Sequence, residues 1–161
     1  MKKLLIIRSI SFQQLDMNII EIKNKFPNHE IYLLTHEHGV SLAEKYKDID
    51  RIIVYDYKES FKYRNKVESI RHEVFDAVIV PVNNISGLGF YNVLLYSLSI
   101  KAKKRYLCNL ISDIKEISAF SILSLGLKNL IYSFFSFVLT LISTLFLILF
   151  LPLKLIQIER Q

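Results

Sequence analysis

The sequence predicts an α/β domain over residues 1–110, a doubly wound parallel sheet of about five strands, followed by a C-terminal transmembrane helix over 128–153. Three observations carry this. Short runs rich in Ile and Val alternate with amphipathic stretches from the start to about Leu110. The runs are continuously apolar rather than alternating, as in strands covered on both faces. From Leu130 to Leu151, 22 residues pass without a charge.

The elements follow in order. Leu4-Leu5-Ile6-Ile7 reads as a buried strand, and Leu15 to Phe26 as a helix that Pro27 closes. Ile31 to Leu34 forms a second strand, with a short helix around Ser41 to Tyr46. Ile52-Ile53-Val54 is a third strand. Phe61 to Glu73 reads as a charged helix whose inner face carries Val67, Ile70 and Val74. Ala77 to Val82 is a fourth strand, Phe90 to Ser99 a helix, and Arg105 to Asn109 a fifth strand. Strand-helix alternation of this length implies right-handed crossovers and a parallel sheet. Ligands of such sheets meet the carboxyl ends of the strands. The loops that matter are therefore 8–14, 35–40, 55–60 and 83–89.

Sixteen of the 22 residues in the uncharged run are Leu, Ile, Phe or Val; the others are Tyr132, Ser133, Ser136, Thr140, Ser143 and Thr144. As a helix the run spans roughly 33 Å, against a hydrocarbon core of about 30 Å. Its flanks tie in positive charge, Lys115 and Lys128 before it against Lys154 and Arg160 after it. Lys2 and Lys3 ahead of Leu4 to Ile7 resemble the start of an export signal, but Arg8 ends the apolar run too early. The expected placement is a cytoplasmic N-terminal domain on the cytoplasmic membrane, with a single span and a short tail over 154–161. Residues 111–127 mix Ile114, Ile117, Phe120, Ile122 and Leu123 with Ser118, Ser121 and Ser124. They read either as a helix in the headgroup layer, turning at Gly126, or as the last helix of the domain.

Composition narrows the function. With 21 basic and 15 acidic residues the net charge is +6, and 52% of the chain is apolar, which excludes disorder. Cys108 is the only cysteine, which excludes a disulfide scaffold. The first loop has no glycine, so it matches neither a dinucleotide fingerprint nor a phosphate-cradling P-loop. Arg8, at a strand end, can meet an anionic group or pair with Asp16. His36 and His38 flank Glu37, but His-x-His in extended chain diverges, so no metal is assigned. Asn83, Asn84, Ser86, Gly87 and Gly89 precede a helix. They read either as a cradle whose N–H groups face a phosphate or sugar hydroxyl, or as a plain turn and cap. Lys101, Lys103, Lys104 and Arg105 form one dense basic run, suited to anionic headgroups or merely solvated. Aromatic residues are too thinly interleaved there for nucleic acid. No cofactor and no catalytic residue is assigned.

The order of four segments resembles a known family. They are Leu4-Leu5-Ile6-Ile7-Arg8, Lys25-Phe26-Pro27-Asn28-His29-Glu30-Ile31, Ile49-Asp50-Arg51-Ile52-Ile53-Val54-Tyr55-Asp56, and Phe75-Asp76-Ala77-Val78-Ile79. Over about residues 3–109 this is similar to the N-terminal half of glycosyltransferase family 9, the lipopolysaccharide heptosyltransferase group. The resemblance implies a Rossmann-like acceptor half of a two-domain glycosyltransferase-B fold, receiving a lipid-linked saccharide. The family's Gly-Asp pair in the first loop, whose Asp is implied as the base, is absent. Gln13, Gln14 and Asp16 lie nearby without matching it. The donor half is missing, and the apolar run stands where it would begin. The expectation is a membrane-anchored half domain in lipid-linked or cell-envelope glycan synthesis. It either presents acceptor to a donor-binding partner subunit or is inactive. A bilayer-tethered scaffold without a ligand is the alternative, and a free-standing enzyme ranks last.

Overall fold

The computed structural model describes residues 2–159, with side-chain surroundings given through Leu151. Its elements are β1 (Lys2–Ile7), α1 (Phe12–Lys25), β2 (His29–His36), α2 (Val40–Ala43), β3 (Arg51–Tyr55), β4 (Phe75–Pro81), α3 (Tyr91–Ser97), β5 (Ala102–Cys108), β6 (Ile114–Glu116) and α4 (Ala119–Glu159). Single 3-10 turns occupy Glu37–Gly39 and Glu68–Ile70. The chain divides into two units, Met1–Leu123 and Ser124–Gln161.

In the first unit, six strands form one sheet in the order β3-β2-β1-β4-β5-β6. The first five run parallel, with Leu4 opposite both Ile31 and Ala77, and Leu33 opposite Ile52. The order reverses between β1 and β4, which opens a crevice beyond their carboxyl ends. Leu4 to Ile7 are completely buried, and so are Leu33 and Leu34, which explains why these strands carry no polar alternation. Each such side chain contributes about 1.5–3 kcal/mol relative to an exposed one. Leu4, Ile6, Ile31, Leu33, Ala77 and Ile79 pack on one face with Leu15 and Ile22 of α1.

Sequence and structure agree closely for α1. The Ser11 hydroxyl accepts from the Gln14 amide (3.3 Å), Lys23 and Lys25 occupy the last turn, and Leu15, Asn18, Ile19 and Ile22 are buried at helical spacing. Cys108 is fully buried, and desolvation pushes its thiol up to about 12.

Three expectations need correction. The helix expected over Phe61 to Glu73 is an irregular segment holding only the turn Glu68–Ile70. Its backbone is claimed by side chains: the Tyr55 hydroxyl accepts from the Lys62 amide (3.2 Å), and the Tyr57 hydroxyl donates to the Lys66 carbonyl (3.2 Å). Val67 and Ile70 are buried as expected, but Val74 is 54% exposed. Residues 111–127 are not one helix either. Ile114–Glu116 pairs antiparallel with β5 as a sixth strand, after a turn in which Ser112 takes φ +60°.

The third correction concerns α4. It starts at Ala119, where the Ser118 hydroxyl accepts from the Ser121 amide (3.1 Å), and runs through Gly126 without turning. Because Ile122 is completely buried, the first unit extends past residue 110. Within α4, Ala119–Leu151 is long and apolar enough to cross a membrane, and its most apolar stretch has mean hydropathy 2.6 with none of it buried. Thr140 and Thr144 return their hydroxyls to the carbonyls of Ser136 and Thr140 (both 2.8 Å). Helix continues through most of the expected tail, to Glu159; Arg160 and Gln161 lie outside the described residues.

Candidate functional site

All four loops singled out above gather at the carboxyl ends of the parallel strands, joined there by the β5–β6 turn. Arg8 stands at the reversal point. The Arg8 amide extends the ladder to the Leu34 carbonyl (2.9 Å), so the residue is held as rigidly as the strand itself. Its guanidinium is fixed on several sides. Nε donates to Thr35 Oγ1 (2.7 Å), Nη1 donates to the Ile10 carbonyl (3.1 Å), and Nη2 lies 3.4 Å from His38 Nε2. The guanidinium carbon sits 4.7 Å from the centre of the Phe12 ring.

No carboxylate pairs with Arg8 among the described residues. Asp16, the expected rival, accepts instead from the Tyr46 hydroxyl. Arg8 is half-buried, and desolvation lowers its pKa from the usual arginine value. A guanidinium with no carboxylate partner keeps its charge for an incoming anion. Gly39 permits this packing. A Cβ there would overlap Thr35 Oγ1 and come within 3.1 Å of Arg8 Nη2.

The 83–89 loop turns its polar groups on itself. Asn84 Oδ1 accepts from the Gly87 amide (2.6 Å), Asn84 Nδ2 donates to the Leu88 carbonyl (2.6 Å), and the Leu88 amide reaches Ser86 Oγ (3.4 Å). Gly87 and Gly89 adopt φ +76° and +88°, which explains both glycines. Of the two readings left open, these bonds are those of a turn closed on itself. Phe90 occupies the N-cap of α3 without a side-chain cap bond, so neither Ser86 nor Asn83 caps that helix. Asn83 is exposed.

Two of the four residues of the basic run are held in ion pairs. Lys103 pairs with Asp76 (2.7 Å) and Lys104 with Glu116 (2.9 Å), while Arg105 turns inward to the carbonyls of Ser97 (3.1 Å) and Ile100 (2.7 Å). Lys101 alone of the four is exposed with no ion pair among the described residues. Lys101 precedes β5, and Lys103 and Lys104 lie in its first half, toward the amino end of the sheet.

Sequence reasoning missed a feature beside Arg8. The turn Glu37–Gly39 curls the chain so that His36 and His38 stack, ring centroids 5.5 Å apart. The run of aromatic residues Tyr55, Tyr57 and Phe61 was the available signal. No protein-family model matches the chain, and no curated protein matches it.

Proposed function

We propose that this chain is a membrane-anchored, Rossmann-like half domain of glycosyltransferase type, acting in lipid-linked or cell-envelope glycan synthesis. Its first unit stands in the cytoplasm on a single transmembrane helix. It presents a phosphate-bearing, lipid-linked saccharide to a partner subunit that supplies the nucleotide-sugar site. The strand order and its reversal beside Arg8 support the Rossmann-like reading. The order of the four segments listed above supports the likeness to glycosyltransferase family 9.

The observation that carries this reading is Arg8: a half-buried cation at the reversal point, ordered by Thr35 and Ile10, with no carboxylate partner among the described residues. Transfer itself needs a carboxylate base on the acceptor hydroxyl and a held leaving diphosphate. Asp16 is the acidic residue nearest in sequence, and it is engaged by Tyr46. The partner is assigned the nucleotide-sugar site and the leaving diphosphate, and this chain the positioning of the acceptor.

Purification in mild detergent tests the proposal. A nucleotide-sugar-binding chain should co-purify, and a polyprenyl phosphate should bind the natural sequence and not Arg8→Gln. Unchanged binding in Arg8→Gln, or a monodisperse protein with no partner, counts against it. The inward-turned 83–89 loop and the half-paired basic run favour a second reading, a tethered scaffold without a ligand. A scaffold tolerates Arg8→Gln without loss of partner.

A further inference from the structure

The β2 and β3 ends carry chemistry that anion binding at Arg8 does not use. The His36 ring, stacked on His38, also meets Tyr55 (5.0 Å) and Phe61 (4.9 Å), and Tyr57 lies 5.1 Å from Tyr55. His36, His38, Tyr55 and Tyr57 line an open groove of about 510 Å³ with Glu37, Asp56 and Lys58, and Phe61 packs behind them.

The wall is fixed in advance. Tyr55 is 1% exposed, and its hydroxyl accepts from the Lys62 amide (3.2 Å) and from Asn65 Nδ2 (3.0 Å). His36 Nε2 lies 3.1 Å from the Glu59 carbonyl, and the Tyr57 hydroxyl is tied to Lys66. A ligand arriving here does not have to order these rings, which lowers the cost of binding. At the rim, Asp56 and Lys58 are exposed and form no ion pair among the described residues.

That combination selects a ligand class. A hydrocarbon chain would use none of the hydrogen-bonding capacity of Asp56 and Lys58. A pyranose satisfies both requirements, with its C–H face on the rings and its hydroxyls on the carboxylate and the ammonium. His38 Nε2 lies 3.4 Å from Arg8 Nη2, so the groove begins where the cation's reach ends. We infer that the groove between the β2 and β3 ends is a saccharide subsite, taking the first sugar ring of a ligand whose phosphate Arg8 holds. This rests on the reading of Arg8 given under Proposed function and deepens it.

The test is calorimetric titration of the full chain in detergent with inorganic phosphate and with glucose 1-phosphate. Glucose 1-phosphate should bind at least about tenfold more tightly than phosphate. Tyr57→Ala and Asp56→Asn, both at exposed positions, should erase that difference and leave phosphate affinity unchanged. Arg8→Gln should lose both probes, and thermal unfolding verifies that each variant is folded. Equal affinity of the natural sequence for the two probes overturns the sugar subsite and leaves the Arg8 reading standing. A preference that survives both Tyr57→Ala and Asp56→Asn overturns it as well. Binding of neither probe overturns the Arg8 reading and the subsite together.

Discussion

Arg8 Nε, just past the end of β1, and Thr35 Oγ1 of β2 lie 2.7 Å apart, so a side-chain hydrogen bond joins the neighbouring carboxyl ends beside the backbone bond from Arg8 to Leu34. Thr35 is completely buried, so its hydroxyl fixes the direction of the cation rather than merely touching it. Gly39 passes over the pair with no room for a side chain.

Gly39→Ala should therefore cost about 1–3 kcal/mol, the usual range for overpacking. It should also weaken phosphate binding, because relief requires Thr35 or Arg8 to move. Arg8→Gln should remove phosphate binding and cost about 2–5 kcal/mol of stability, because it gives up charge-assisted hydrogen bonds to the buried Thr35 hydroxyl and the Ile10 carbonyl. Thermal unfolding and phosphate titration in the same detergent check both. A Gly39→Ala protein as stable as its parent contradicts the packing argument.

The two left-handed glycines of the 83–89 loop should separate strain from packing. Both need positive φ, which costs an ordinary residue about 1–2 kcal/mol. A Cβ on Gly89 meets nothing within 4 Å, whereas one on Gly87 comes within 2.6 Å of Leu107 Cδ1 and 3.5 Å of Leu94 Cδ1. Gly87→Ala should be the more destabilising by about 1 kcal/mol, and neither change should alter phosphate affinity. Loss of phosphate binding in Gly89→Ala would return this loop to the ligand site.

How far the fold was legible depends on where each signal resides. β1, β2 and β4 are continuous apolar runs, and burial on both faces permits little else, so their positions follow from Leu4 to Ile7, Ile31 to Leu34 and Ala77 to Val82. β6 is three residues with one buried apolar side chain, Ile114, too little pattern to read. Val67 and Ile70 have helical spacing, yet bonds from Tyr55 and Tyr57 take over the surrounding backbone, and such contacts leave no periodic trace. Arg8 was legible as an anion candidate because strand ends are where ligands collect. Its freedom from Asp16 was not, since it depends on Tyr46 reaching α1. The Asn84 turn was similarly hidden: an Asn before glycines reads alike whether its bonds face in or out.

Acid should weaken the amino end of the sheet. Lys103 Nζ (2.7 Å) and then the Lys3 amide (2.9 Å) hold the Asp76 carboxyl below the usual aspartate value, and Lys3 does the same for Glu73. A depressed pKa in the folded state means stabilisation that is complete above the unfolded value and disappears as pH falls through the folded one. Stability should thus decline from the ordinary carboxylate range downward, less steeply in Asp76→Asn, and salt should shrink the effect because these pairs are partly open to solvent. Denaturant unfolding across that pH range checks the slope. Identical acid limbs for the two proteins would remove Asp76 from the account.

The long helix should hold the chain in a bilayer by an amount that can be titrated with charge. Sixteen strongly apolar residues between Leu130 and Leu151 favour insertion by roughly 5–10 kcal/mol in total, before the hydroxyl residues subtract their share. One arginine at the centre of such a span costs about 2.5–3.5 kcal/mol. Leu141→Arg alone should therefore leave most of the protein in the membrane pellet after an alkaline wash. Leu141→Arg combined with Leu145→Arg, at about 5–7 kcal/mol, should shift a large fraction to the supernatant. Phe120→Arg, outside the uncharged run, should leave the distribution unchanged. If the natural sequence itself appears in the supernatant, or if the double variant remains in the pellet, insertion of this helix is not what anchors the protein.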